Sequence, residues 1–170
     1  MASEPYAYFN GDFVPLSEAK VSIMTNAFNY GTGCFEGIRG NWNAKEEQLY
    51  IFRMKEHYQR IHRSCNILRI KLPYSVDELC DITLELVRRN GHREDMYIRP
   101  LAYKAGTVVG VKLHGVEDGF TMFTVPFGDY LDSSNGIRCG TVSWRRVDDC
   151  AIPARAKVTG LYINSALAKT

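Results

Sequence analysis

The chain has 170 residues, 45% of them hydrophobic and 24% charged, a balance typical of a soluble globular protein with one ordinary core. The net charge of +2 is too small, and the basic residues are too scattered, to favour nucleic-acid binding. No apolar run approaches the roughly 18 residues of a transmembrane helix, so we expect no membrane partner. The five cysteines form no C-x-x-C pair and the four histidines no ligand pattern, so we expect no metal site and a reducing, cytoplasmic environment.

Strands dominate the start of the chain. Asn10-Gly11 lies between two apolar runs and is the dipeptide that best tolerates a type I′ turn, so we predict an opening β-hairpin. Residues 35–42 and 48–52 are predicted to be two further strands joined by a polar loop.

Two helices are predicted next. From Met54 to Leu68, apolar residues recur every three or four positions, which indicates one buried face of a helix. Ser75-Val76-Asp77-Glu78 is a capping box that begins a second helix, and Gly91 supplies its C-terminal cap. The predicted buried stripe of this second helix consists of Leu79, Ile82, Leu86 and Val87.

The rest of the chain predicts an α+β domain and the opening of another. Strands are predicted over 96–103, 120–126 and 137–147, and a helix begins near Gly160. The predicted organisation is an N-terminal domain over 1–127, a polar linker over 128–136 and the beginning of a second domain over 137–170. About 35 residues after a linker cannot bury a core, so we expect an N-terminal portion of a longer protein.

Two clusters carry the candidate chemistry. Residues 30–39, YGTGCFEGIR, combine aromatic walls, a carboxylate and a guanidinium among glycines, although a tight turn before a strand has the same pattern. Residues 152–166, IPARAKVTGLYINSA, hold Lys157 among small residues and beside a cation. Aldehyde cofactors need a lysine amine that can be neutral near physiological pH, and this setting suits one. Local context alone favours a solvated lysine, as most lysines are.

With FRMKEHYQRIH at 52–62, MYIRPL at 96–101 and FGDYL at 127–131, the two clusters resemble the branched-chain amino acid aminotransferases. The resemblance runs from Tyr8 to the last residue. It implies the N-terminal domain of a fold type IV pyridoxal-phosphate enzyme with the start of its second domain. It also implies ping-pong exchange of the amino group between Leu, Ile or Val and 2-oxoglutarate, in a homodimer or higher homo-oligomer.

The resemblance also implies roles for individual residues. Lys157 would form a Schiff base with pyridoxal 5'-phosphate and then carry the transferred proton. Arg60 would anchor the phosphate, and Tyr162 would hydrogen-bond the ring oxygen. The implied substrate site has Tyr97, Arg99 and Arg39 as a polar rim near the carboxylate, with Tyr30, Phe35, Gly37, Tyr130 and the neighbouring subunit's Val109 around an apolar pocket.

Two alternatives stay open. The same fold serves D-amino acid and (R)-amine transaminases and aminodeoxychorismate lyases, although the triplet Tyr97-Ile98-Arg99 beside FEGIR favours the branched-chain type. The chain could also be a non-catalytic dimerisation module that retains ancestral residues. The carboxylate that pairs with the pyridine nitrogen and the second phosphate loop of the family fall beyond residue 170, so we expect the 170-residue polypeptide alone to be inactive.

Overall fold

A computed structural model describes residues 4–128 and 134–170, with a seven-stranded antiparallel sheet as its centre. The strand order is β2-β1-β7-β6-β4-β5, and β3 also pairs with β6. The strands are β1 (Tyr6–Phe9), β2 (Asp12–Pro15), β3 (Gly33–Phe35), β4 (Ile38–Asn43), β5 (Gln48–Ile51), β6 (Met96–Lys104) and β7 (Asp118–Pro126). The helices are α1 (Asn26–Tyr30), α2 (Met54–Ile67), α3 (Val76–Asn90) and α4 (Tyr162–Lys169).

The predicted opening hairpin is confirmed. β1 and β2 pair in antiparallel register, and Asn10 and Gly11 connect them. Their φ angles are 48° and 115°, both positive as a type I′ turn requires. This conformation suits Asn-Gly because other residues rarely adopt it.

The single strand predicted over 35–42 is wrong, because the structure divides it into β3 and β4. Both β3 and β4 pair with β6, and the two pairings have the same antiparallel register. Between them, the N–H of Glu36 donates to the Pro100 carbonyl at 3.0 Å, but Pro100 has no N–H to donate in return. The missing donor interrupts the ladder and leaves Glu36 at the break.

Both long helices are confirmed, with their predicted apolar faces against the sheet. α2 buries Tyr58, Ile61 and Cys65. At the start of α3, the Ser75 hydroxyl accepts from the Glu78 N–H at 3.2 Å, and the Glu78 carboxylate accepts from the Ser75 N–H at 2.7 Å. The helix ends at a left-handed glycine with φ 59°, as a C-terminal cap requires.

The core lies between these helices and one face of the sheet. α2 packs on β3, and α3 packs on β1 and β7. Met96, Ile98 and Ala102 alternate along β6 and are fully buried in the same cluster as residues of both helices. Because side chains alternate across a strand, Tyr97 and Arg99 lie on the opposite face, where the candidate site is found.

The strand predicted over 137–147 is wrong. The structure shows irregular backbone there, and residues 137–146 are exposed. An alternating pattern forms a strand only when a neighbouring strand takes up its hydrogen bonds, and no strand of the described chain lies beside it. The helix predicted near Gly160 is confirmed as a short 3-10 turn, Thr159–Leu161, followed by α4.

The linker and domain boundaries predicted over 128–136 remain predictions, since residues 129–133 lie outside the described chain. Within residues 4–128 and 134–170, no helix has the length and apolarity to cross a membrane.

Candidate functional site

Lys157 lies on a segment that runs beside β3 and is held there by its backbone. Its N–H donates to the Ser64 hydroxyl of α2 at 3.1 Å, and its carbonyl accepts from the Phe35 N–H at 3.1 Å. The neighbouring Ala156 and Val158 are buried, whereas the Lys157 side chain stays partly accessible. A fixed backbone therefore presents a reachable amine.

Two aromatic rings hold that amine. Lys157 Nζ donates a hydrogen bond to the Tyr162 hydroxyl at the start of α4. Nζ also lies 4.5 Å from the ring centroid of Phe35 and 5.0 Å from that of Tyr162. Ring faces attract a cation at such distances. The contacts therefore orient the amine.

The glycines of the first cluster pack against the second cluster. Thr159 Oγ1 donates to the carbonyls of Gly31 at 2.8 Å and Gly33 at 3.1 Å. A Cβ at Gly31 would lie 3.0 Å from the Gly160 Cα, and Gly31 has φ 65°. Glycine is therefore required where the two clusters meet, which accounts for the pattern that the sequence shows.

A buried carboxylate holds Arg60. Glu36 has no exposed side-chain surface, and Arg60 donates to its two oxygens through Nε and Nη2, both at 2.5 Å. His57 Nδ1 lies 2.8 Å from the second oxygen. Burial opposes ionisation of Glu36, but the hydrogen bonds from Arg60 and His57 prevail and hold the pKa of this carboxyl below its usual value. The same pairing raises the pKa of Arg60.

The three predicted cofactor residues line one cavity of about 170 Å³. Its walls are Arg60, Arg146, Ala154, Arg155, Ala156, Lys157, Leu161 and Tyr162. The cluster is cationic, although Arg155 also lies 3.6 Å from the carboxylate of Asp149. Sequence reasoning assigned no role to Arg146, for which the basic run at 144–146 was the available signal.

Tyr97 and Arg99 lie on the same face, as the triplet predicted. The Arg99 guanidinium stacks 4.3 Å from the Phe35 ring centroid, and its Nε donates to the Tyr97 hydroxyl at 3.1 Å. A Cβ at Gly37 would lie 2.9 Å from Tyr97 Cζ and closer still to the hydroxyl oxygen. Gly37 therefore leaves the space that the tyrosine occupies.

Arg39 extends this group along the sheet. It donates to the Gly128 carbonyl at 3.1 Å, lies 3.8 Å from the Asp95 carboxylate, and stacks 5.1 Å from the Phe127 ring centroid. The Phe127 ring in turn lies 5.4 Å from that of Tyr97. We call the connected side chains the ring row: Lys157, Phe35, Arg99, Tyr97, Phe127 and Arg39.

Two of the predicted substrate residues, Tyr30 and Val109, take no part in the contacts given for the ring row. The Tyr30 hydroxyl accepts from the Gly110 N–H at 3.0 Å, so Tyr30 is joined to the loop that carries Val109. Val109 is 88% exposed. Buried Asn26, which sequence reasoning missed, holds this loop by donating to the Gly110 carbonyl at 2.8 Å. Tyr130 falls outside the described residues, and its role stays a prediction.

No group of three or more His, Cys, Asp or Glu side chains in the described chain could hold a metal ion. The groups that the site offers are the amine of Lys157, the phenol of Tyr162 and the guanidinium groups of the arginines. Such a set binds anions and can hold or move a proton.

The fold and this set of groups agree with a family assignment. Residues 33–170 match the family model for amino-transferase class IV, and the chain belongs to that family.

The chain is similar to named branched-chain aminotransferases. It is 51% identical over 168 residues to a probable branched-chain-amino-acid aminotransferase from Aquifex aeolicus (strain VF5), covering 99% of this chain and 54% of the relative. It is 36% identical over 166 residues to the branched-chain-amino-acid aminotransferase of Escherichia coli (strain K12), covering 95% and 53%. The chain thus spans about half the length of these curated relatives.

Solved structures show the same likeness. The branched-chain aminotransferase from Thermoproteus uzoniensis, solved with norvaline, matches with TM-score 0.91 and 40% identity over 98% of this chain and 55% of that one. The branched-chain amino acid aminotransferase from Thermobaculum terrenum, solved in its PLP-form, matches with TM-score 0.87 and 32% identity over 98% and 54%. These matches confirm the predicted α+β, fold type IV architecture and the resemblance to branched-chain aminotransferases.

Proposed function

We propose that this chain takes part in pyridoxal-phosphate-dependent transamination of branched-chain L-amino acids with 2-oxoglutarate. One observation carries the proposal: Lys157, Tyr162 and Arg60 line a single cavity in a chain of the class IV family. The names of the similar proteins support the substrate class, and the PLP-form of the Thermobaculum terrenum enzyme supports the cofactor.

The residues of the cavity fit pyridoxal 5'-phosphate. When bound, this cofactor supplies an aldehyde that condenses with amines and a ring that accepts electrons. Lys157 offers the amine at Nζ, and Tyr162 offers the phenol beside it. Arg60 offers a guanidinium whose Nη1 takes no part in the two hydrogen bonds to Glu36, so that nitrogen can meet a phosphate oxygen.

Lys157 would act as the general acid and base. Its amine is held between the rings of Phe35 and Tyr162, so Nζ has a defined direction in which to give or take a proton. The Tyr162 hydroxyl accepts from Nζ and would keep the amine in place between turnovers. The amine can therefore move a proton without leaving the cavity.

The ring row would bind the substrate. Phe35 is 6% exposed, with its ring packed against Arg99 and Lys157, and would lie behind the apolar pocket for a branched side chain. Arg99 and Arg39 present guanidinium groups to carboxylates. Tyr97 fixes Arg99 through its hydroxyl. The proposed pocket also includes Tyr30, Tyr130 and Gly37, with Gly37 acting by leaving room for Tyr97.

We also propose a homodimer in which Val109 completes the partner's site. Val109 is one of several large apolar side chains that are exposed, and Ile23 and Phe28 are two others. These exposed side chains support the proposal, because large apolar patches mark interaction surfaces. We further propose that the first domain ends at residue 127 and that the second begins at residue 137. We also propose a cytoplasmic location. The free thiols of all five cysteines agree with a reducing compartment.

The test uses the protein expressed from its complete reading frame. Borohydride reduction followed by peptide mapping should fix the cofactor at Lys157, and the Lys157→Ala variant should lose the label. Lys112→Ala, a change at an exposed loop lysine, should keep it. Labelling of another lysine, or none, would contradict the cofactor assignment.

A panel of amino donors tests the substrate assignment. With 2-oxoglutarate as acceptor, we expect L-leucine, L-isoleucine and L-valine to react in preference to D-alanine and an (R)-amine. A preference for either of the latter, or release of pyruvate from aminodeoxychorismate, would favour the other enzymes of this fold. Absence of cofactor binding would favour a dimerisation module.

A further inference from the structure

Glu36 is the most deeply buried acid next to the candidate site. Its side chain is 0% exposed, whereas the Arg60 side chain that it binds is 44% exposed. Burial of a carboxylate is costly unless every oxygen is paired. Here Arg60 meets both oxygens and His57 meets one of them, so the cost is offset by a geometry that allows one orientation of the guanidinium plane.

The position of Glu36 links the segment that carries Lys157 to the guanidinium of Arg60. The Phe35 N–H holds the carbonyl of Lys157, and the next residue holds Arg60. Both residues lie at the break between β3 and β4, and the Glu36 N–H is fixed by Pro100. The dipeptide 35–36 is therefore a common support for the amine and for the guanidinium.

Glu36 has two effects on Arg60 that oppose one another. Its negative charge partly cancels the attraction of Arg60 for an anion, so removing the charge alone would strengthen anion binding. Its two hydrogen bonds also restrict a side chain that otherwise loses considerable rotamer freedom on binding, so removing them would weaken binding. The direction of the change in affinity therefore separates the two effects.

We propose that Glu36, held by His57, is a positioning residue that aims Arg60 at the phosphate of the cofactor. The bidentate pairing commits Nε and Nη2 and leaves Nη1 for the phosphate oxygen. Orientation outweighs the charge effect because the partly exposed guanidinium is screened by water, whereas its geometry is set by a fully buried partner. This inference rests on the proposed function.

The test compares cofactor affinities in the protein expressed from its complete reading frame. Absorbance and fluorescence titrations give the Kd for pyridoxal 5'-phosphate and for pyridoxal, which lacks the phosphate. We expect Glu36→Gln to weaken pyridoxal phosphate binding about tenfold and to change pyridoxal binding less than about twofold. In an Arg60→Ala background, the same substitution should have no further effect, because Glu36 acts through Arg60.

Three outcomes would overturn the inference. The first is that Glu36→Gln binds pyridoxal phosphate as tightly as the unmodified protein or more tightly. The others are that Glu36→Gln loses as much affinity for pyridoxal as for pyridoxal phosphate, or that it causes the same loss of affinity in the Arg60→Ala background. Failure of the unmodified protein to bind pyridoxal phosphate would instead overturn the proposed function, and with it this inference. Glu56→Gln is the matched control, since Glu56 is also a glutamate near Arg60 in sequence but is 49% exposed and paired with Arg53. The Glu56→Gln protein should bind pyridoxal phosphate with the same Kd as the unmodified protein.

A second variant keeps the inference testable if Glu36→Gln does not fold. His57→Asn leaves the Glu36 carboxylate and Arg60 intact and disturbs only the contact at the second oxygen. We expect it to weaken pyridoxal phosphate binding about threefold with pyridoxal unaffected. An unchanged Kd for pyridoxal phosphate in a folded His57→Asn protein would overturn the role of the pair.

Discussion

Replacing Gly37 with alanine should destabilise the fold, because Tyr97 already occupies the space that the new side chain would need. An added Cβ would lie 2.9 Å from Tyr97 Cζ and 3.0 Å from Cε2, closer than packed carbon atoms approach. The obstacle is a ring, which cannot bend away as the end of a flexible chain can. Tyr97 must therefore move, and the hydrogen bond from Arg99 to its hydroxyl at 3.1 Å must lengthen or break.

The magnitude follows from two terms of opposite sign. Overpacking a fitted position costs about 1–3 kcal/mol. Alanine also reduces the freedom of the unfolded chain, which stabilises by about 0.4–1 kcal/mol where the backbone accepts it. Gly37 does not have a positive φ, so that second term applies. We expect Gly37→Ala to lower the free energy of unfolding by about 1–2 kcal/mol.

Gly140→Ala is the matched control, because its Cβ would meet nothing within 4 Å. Urea unfolding should show this control to be as stable as the unmodified protein or slightly more so. Tyr97→Phe removes the closest obstacle, so the double change Gly37→Ala with Tyr97→Phe should lose less than the sum of the single changes. The reasoning is refuted if Gly37→Ala and Gly140→Ala unfold at the same urea concentration.

Three further predictions concern the fold. The pKa of Glu36 in the folded chain lies below its ordinary value of 4.5, so the ionised carboxylate stabilises the fold above that pH and the stabilisation is lost on acidification. The thermal midpoint should therefore fall as the pH is lowered below 4.5, and it should fall less in Glu36→Gln. Leu86→Ala, at a fully buried position, should lower the free energy of unfolding by about 2–5 kcal/mol, and Leu167→Ala, at an exposed one, by less than about 1 kcal/mol. Ser75→Ala removes half of a capping box and should cost about 0.5–2 kcal/mol in urea unfolding, so an unchanged midpoint would contradict the role of the cap.

The sequence predicted best the features that depend on neighbouring residues. The turn at Asn10-Gly11 and the caps at Ser75 and Gly91 involve contacts within a few positions, and all are confirmed. The shared face of Tyr97 and Arg99 follows from the alternation of side chains along any strand.

Predictions failed where a distant part of the chain decided the outcome. A strand pattern over 137–147 lacked a neighbouring strand, and a continuous strand over 35–42 met a proline on the strand opposite. The sequence also did not predict that Glu36 pairs with Arg60, because the two residues lie 24 positions apart. Patterns of residues report local preferences and carry no information on which distant group a side chain will meet.

The sequence by itself therefore determined the tight turn, the helix caps and the two long helices and, through its motifs, the aminotransferase family to which the chain is assigned. Only the tertiary structure decided how the clusters combine. Thr159 bonds to Gly31 across 128 positions, and this contact brings Lys157 beside Phe35 and into the cavity that Arg60 lines. The reason is physical: such contacts depend on the path of the whole chain and on the burial that packing imposes, which no short pattern encodes.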